Sequence, residues 1–80
     1  MIWTVKLSSK AEKHYTKLKK DTKARITKGL AQLGDYNSPA EHPSVKPLTG
    51  DLRGFYRLRV GEYRIVFALL KETKTIAVVN

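Results

Sequence analysis

The sequence contains no cysteine, which rules out a disulfide framework and any thiolate metal site. Acid is scarce: seven Asp+Glu stand against sixteen Lys+Arg, a formal net charge of +9 on 80 residues. Long apolar runs are missing too. The longest, "IVFALL" at 65–70, is far too short to span a bilayer. The N-terminus, "MIWTVKLSSK", has no basic start followed by an apolar stretch of signal-peptide length. These absences point to a cytoplasmic chain with no membrane partner. There is no Gly-rich phosphate loop, no metal-ligand spacing and no Ser/His/Asp pattern, so no metal and no cofactor is expected.

What is present is one small domain, residues 1–80. A chain this short buries only roughly 60% of its unfolded surface, so its core has little to spare. A hydrophobic content of 41% suffices for one such core and is too high for a disordered chain. The positive charge suits a polyanion or an acidic partner; RNA, DNA and an acidic protein all fit.

Periodicity outlines the elements. Ile2–Leu7 alternates, with Trp3, Val5 and Leu7 on one side, and reads as a strand. Ser9 followed by Glu12 has the spacing of a capping box and predicts a helix start. Ala11, Tyr15 and Leu18 then share one helical face, and Lys13, Lys17 and Lys20 share another. Asp21 or Thr22 is expected to cap a second helix, in which Ile26, Leu30 and Leu33 repeat at helical spacing and Gly34 marks the stop. The pair is an αα-hairpin with helices of about three turns each. Asp35–Gly50 holds all three prolines without apolar periodicity and reads as a loop. Three strands follow, about Phe55–Val60, Tyr63–Leu70 and Thr75–Val79, with turns at Gly61-Glu62 and Glu72-Thr73. The fold class is α+β: strand, two helices, three strands, with the hairpin packed on one face of a mostly antiparallel sheet.

The stretch "GFYRLRVGEYR", residues 54–64, carries the functional signal. A two-residue turn at Gly61-Glu62 sets Val60 opposite Tyr63, Arg59 opposite Arg64 and Arg57 opposite Val66. Alternation then places Phe55, Arg57 and Arg59 on one face beside Arg64. Tyr56, Leu58, Val60, Tyr63, Ile65, Phe67 and Leu69 form the opposite, apolar face and are expected in the core. Like charges directly opposite one another destabilise a strand pair, by less than about 1 kcal/mol. A guanidinium presents a planar fork of donors suited to phosphate oxygens, so the cluster fits a phosphate backbone. Pairing with Glu62 or Asp51 is the alternative.

The run "LTGDLRGFYRLRVGEYRIVFALL", with the strand–helix–helix start and the final "TIAVVN", resembles the RelE/ParE superfamily of toxin–antitoxin toxins, on the RelE-like side. The resemblance spans Val5 to Val79, and only residues 48–67 are specific. It implies the toxin of a type II toxin–antitoxin system, an endoribonuclease (mRNA interferase) that cuts mRNA on the ribosome, inhibits translation and serves plasmid stabilisation. The RNA 2′-hydroxyl attacks the adjacent phosphate, and basic residues on the paired strands stabilise the charge. Those positions match Arg57, Arg59 and Arg64 as catalytic residues. Phe55 (by stacking on a base), Lys13, Lys17, Lys20, Lys46 and Arg53 complete the RNA-binding set. The partners implied are a cognate antitoxin, in a hetero-oligomer that covers the basic face, and the ribosome with its mRNA.

Two departures from the superfamily pattern stand out. Some members carry lysine where this chain has Arg57 and Arg59. A guanidinium does not give up its proton in proteins, so these positions would orient and neutralise phosphate rather than act as bases. Members also normally continue past the last strand with a short basic segment, often bearing a tyrosine or histidine, where this sequence ends at Asn80. Two other readings therefore stay open: a ParE-like inhibitor of DNA gyrase, and a non-catalytic domain that binds antitoxin or RNA. His14 and His42 are the only histidines; His42 could reach the basic face as an acid or base.

Overall fold

The computed structural model describes residues 2–80. The chain opens with β1 (Thr4–Leu7), folds through α1 (Ser9–Thr16) and α2 (Lys20–Gly34), and continues as β2 (Val45–Pro47), β3 (Tyr56–Val60), β4 (Tyr63–Leu70) and β5 (Thr75–Val78). Short 3₁₀ turns at Pro39–Glu41 and Gly50–Leu52 flank β2. The strands form one sheet in the order β1-β5-β4-β3-β2. β1 lies parallel to β5, and the other neighbours are antiparallel. The expected α+β architecture is thus present.

The core lies between the helices and one face of the sheet. Period-2 alternation turns Leu58, Ile65, Phe67, Ile76 and Val78 toward the helices, which contribute Ala11, Ile26, Leu30 and Leu33. Phe67 and Leu33 are both 0% exposed. Tyr56 stacks on Phe67 with ring centroids 5.8 Å apart. Gly29 lets α2 come close to β3, because a Cβ there would lie 3.0 Å from Val60 Cγ2. Trp3 is buried and donates its indole N–H to the Asn37 carbonyl at 3.1 Å.

Several local expectations are corrected. The N-cap of α1 is Ser8, not Ser9: its hydroxyl accepts the Ala11 N–H at 3.1 Å and donates to the Val79 carbonyl at 3.3 Å. Glu12 falls one position too late for a capping box. Lys19 in extended conformation, without a side-chain cap, begins α2, so Asp21 and Thr22 lie within its first turn. Asp21 still favours that end by opposing the helix dipole. Gly34 is not a left-handed stop. It is the buried last residue of α2, and its carbonyl accepts from Ile2 N–H at 2.9 Å and Trp3 N–H at 2.8 Å. The helices are unequal, with 8 and 15 residues. The Pro-containing segment carries an additional strand, β2, on Val45–Pro47.

Replacing Phe67 with Ala removes a fully buried ring, and the expected cost is about 3–5 kcal/mol. Lys13→Ala, on the exposed side of α1, is expected to stay within about 0.5 kcal/mol. Urea unfolding followed by circular dichroism measures both.

Candidate functional site

The face of the sheet away from the helices is organised by the β3–β4 turn. Gly61 takes φ +59° and Glu62 stays out of the left-handed region, as a Gly-X hairpin turn requires. The observed register sets Val60 opposite Tyr63, Arg59 opposite Arg64 and Arg57 opposite Val66, as the turn predicts. β2 adds Lys46 directly opposite Arg57. Neighbouring strands are about 4.8 Å apart, so four cations rise from a patch about two strand spacings wide.

Arg59, Arg64 and Lys46 are exposed, and Arg57 is half-buried. Among the described residues, no carboxylate pairs with any of the four; neither Glu62 nor Asp51 neutralises them. No direct ion pair among the described residues offsets the charge of the patch. Beside it the floor of the face is apolar and half-buried: Val66, Ala68 and Ala77, with Lys6 opposite Ala77 on the far side. Val79 and Asn80 both donate to the Val66 carbonyl, at 2.9 and 3.3 Å. Two residues facing one is the pattern of a β-bulge, which bends a strand and re-aims its side chains. The bulged residues lie two strands from Arg57, with Val66 of β4 between them.

The other candidates are scattered by comparison. Phe55 is half-buried immediately before β3, and its carbonyl accepts the Leu48 N–H at 2.9 Å. Arg53 is exposed at the end of the Gly50–Leu52 turn. Lys13, Lys17 and Lys20 do not form one helical stripe. Lys13 is on α1, Lys17 is its C-cap, and Lys20 opens α2. His14 is exposed on α1. His42 lies against Tyr36, with ring centroids 4.9 Å apart, and its Nδ1 accepts the Ser44 N–H at 3.0 Å. Among the described residues, no three His, Asp or Glu side chains come together as a metal site would need. Among the described residues, no helix is long and apolar enough to cross a membrane.

Two features escaped the sequence reading. One is an apolar groove of about 400 Å³ between α1, the start of α2 and β4, lined by Leu18, Ile26, Tyr63, Ile65 and Val78, with Lys17 and Arg64 among its polar residues. Tyr63, expected in the core, is 44% exposed there, because no helix covers the first residue of β4. The other is a hollow that brings Arg25 and Lys28 of α2 beside the end of β3. Their spacing of three was the available signal.

The family profile described as the ParE toxin of a type II toxin–antitoxin system, parDE, matches residues 5–80. The chain belongs to this family. Solved structures place it more broadly among RelE/ParE toxins. It resembles a chain of the RelBE2 toxin–antitoxin complex from Mycobacterium tuberculosis at TM-score 0.80 and 24% identity, over 98% of this chain and 93% of that one. It resembles a chain of the archaeal RelE–RelB complex from Pyrococcus horikoshii at TM-score 0.77 and 28% identity, over 100% of this chain and 92% of that one. It also resembles a chain of the YoeB–YefM complex from Staphylococcus aureus at TM-score 0.79 and 19% identity, over 98% and 92% of the two chains. No curated protein matches the chain.

The unpaired cations predict a measurable cost. Arg64→Gln removes the charge opposite Arg59, and melting in about 20 mM salt should then show stabilisation of less than about 1 kcal/mol. Screening should erase the gain at about 0.5 M salt. A gain that survives high salt would mean that repulsion is not its source.

Proposed function

We propose that this toxin is a ribosome-dependent mRNA endonuclease that inhibits translation, and that Arg57, Arg59 and Arg64 are its catalytic residues. The observation that supports this reading most is the unpaired cation cluster on the open face of β3 and β4. In the reaction, the 2′-oxygen of a nucleotide forms a bond to its adjacent phosphorus. The bond from phosphorus to the next nucleotide's 5′-oxygen breaks. The 2′-hydroxyl proton goes to solvent, and the leaving 5′-oxygen takes one up. A 2′,3′-cyclic phosphate and a 5′-hydroxyl result. Negative charge builds on the phosphoryl oxygens in between, and fixed guanidinium donors lower that barrier. The arginines bind, orient and neutralise; proton transfer is left to water. Lys46, opposite Arg57, extends the phosphate contacts, and Phe55 stacks on a base. Arg53, Lys13, Lys17 and Lys20 add contacts to the RNA backbone.

A cognate antitoxin is the second partner. The solved structures that this chain resembles are toxin–antitoxin complexes. The apolar groove beside Tyr63 suits the apolar side of an amphipathic helix, and Lys17 and Arg64 suit acidic residues flanking it. Such a helix would cover Arg64 and with it part of the cationic face.

The family profile favours a second reading, because it is that of a ParE toxin. A ParE-like protein would inhibit DNA gyrase by protein contact and would need no phosphate-directed arginines.

Cell-free translation with added protein, followed by primer extension on the mRNA, separates the two. Cuts at in-frame codon positions are expected only with ribosomes present and only with the unaltered chain. Arg57→Ala/Arg59→Ala/Arg64→Ala is expected to abolish them while keeping the circular dichroism spectrum, since all three side chains lie off the core. Uncut mRNA with the unaltered chain, together with loss of gyrase supercoiling, would establish the gyrase reading instead.

A further inference from the structure

The hollow beside β3 is not absorbed by the catalytic face. It occupies about 380 Å³ between α2 and the end of β3. β2 stops short of this end of β3: its first residue, Val45, faces Leu58, and only the Ser44 carbonyl reaches the Arg59 N–H, at 3.2 Å. The hollow is lined by Arg25, Lys28 and Gln32 of α2, by His42 and Ser44 of the preceding loop, and by Arg59 of β3. Arg25, Lys28 and Arg59 are cations, Gln32, His42 and Ser44 carry neutral donors, and Leu58 and Val60 add an apolar wall. No carboxylate lines the hollow, and among the described residues none pairs with Arg25, Lys28 or Arg59. The Ser44 N–H occupies Nδ1 of His42. The neutral imidazole therefore carries its proton on Nε2, as a donor. The Arg25 guanidinium reaches Gly61, with Nη1 3.7 Å from where a Cβ would stand, so it spans the gap from α2 to the β3–β4 turn.

A concave site with cations and donors on three sides and no acceptor charge fits a tetrahedral oxyanion. Arg59 lies at the rim of this hollow: alternation puts its side chain on the open face, opposite Arg64, while Leu58 and Val60 beside it face α2. We propose that the hollow is a second phosphate site, which holds a backbone phosphodiester of the same single-stranded RNA after the strand leaves the open face over the end of β3. Arg25 and Lys28 hold that phosphate, with Gln32 and His42 Nε2–H as neutral donors. The assignment of the occupant to an RNA strand rests on the proposed function; the anion chemistry of the hollow does not. The site positions the strand and takes no part in bond breaking.

Two measurements on the full chain test this. In the first, the ¹⁵N-labelled protein is titrated with inorganic phosphate at ionic strength held constant with chloride. Saturable shifts are expected at the Gly29 and Gly61 amides and the His42 ring, and they should vanish in Arg25→Gln/Lys28→Gln. Equal shifts with chloride alone, or shifts that persist in that variant, would overturn the anion site. In the second, binding of a 2′-O-methylated, uncleavable RNA decamer is followed by fluorescence anisotropy across a salt series. Losing two phosphate contacts should flatten the slope of log affinity against log salt by roughly 1.4, at roughly 0.7 per contact on single strands. Inorganic phosphate binding with an unchanged RNA slope would overturn the strand assignment and leave a site for free phosphate. An Arg57→Ala/Arg64→Ala variant, which leaves Arg59 at the rim of the hollow in place, separates the two claims. If it alone loses RNA, the proposed function stands and the second site fails. If only Arg25→Gln/Lys28→Gln loses RNA, the hollow stands and the catalytic face fails.

Discussion

The register of β3 on β4 is the constraint on which the functional face depends, and the core sets it. Leu58 opposite Ile65 and Tyr56 opposite Phe67 lie on the helix side of the same ladder that sets Arg59 opposite Arg64 on the other. A slip of one residue would expose the buried set and drive arginines inward. Burying a side chain of the size of Leu, Ile or Phe contributes about 1.5–3 kcal/mol. The repulsion between facing arginines costs less than about 1 kcal/mol. Apolar burial therefore wins by a wide margin and holds like charges together. Gly61 completes the device, since its φ of +59° favours a residue without a Cβ and its turn leaves no spare residue through which the register could slide.

This arrangement explains why the hairpin could be read from the sequence. Alternation from 55 to 70 is regular and its turn carries a glycine, so the face of each arginine followed from the spacing alone. Lys46 belonged with them but could be located only through its partner strand. β2 has three residues and ends in Pro47, too short for alternation to register, and it exists because the edge of β3 supplies its hydrogen bonds. The caps of the helices were misplaced for a related reason. Ser8 and Ser9 are equivalent by composition, and what selects Ser8 is its second hydrogen bond, to Val79 at the other end of the chain. Gly34 suggested a left-handed stop, but its carbonyl is needed by Ile2 and Trp3, a tertiary demand that no local pattern reveals. The hollow beside Arg25 was hidden in the same way, since it joins α2, the Pro-containing loop and β3.

Membership in the ParE toxin family fixes the toxin class, and the RelE and YoeB folds show how one scaffold is shared across that class. The target must be argued from the face itself. Facing arginines without acidic partners suit an incoming anion, and a phosphate backbone reverses the sign of their interaction. The bulge at Val79 and Asn80 lies two strands from Arg57, across β4, and bends that end of the sheet.

The most direct test of the claim that the open face of β3 and β4 meets RNA is photo-cross-linking on the ribosome. An mRNA bearing 4-thiouridine in the vacant A-site codon is irradiated with the Arg57→Ala/Arg59→Ala/Arg64→Ala chain and, with a 2′-O-methyl block against cleavage, with the unaltered chain. Cross-linked peptides are then mapped by mass spectrometry. Adducts are expected within residues 53–67 of the unaltered chain and are expected to be lost from the variant. Adducts confined to α1, or none while the protein still arrests growth, would contradict it.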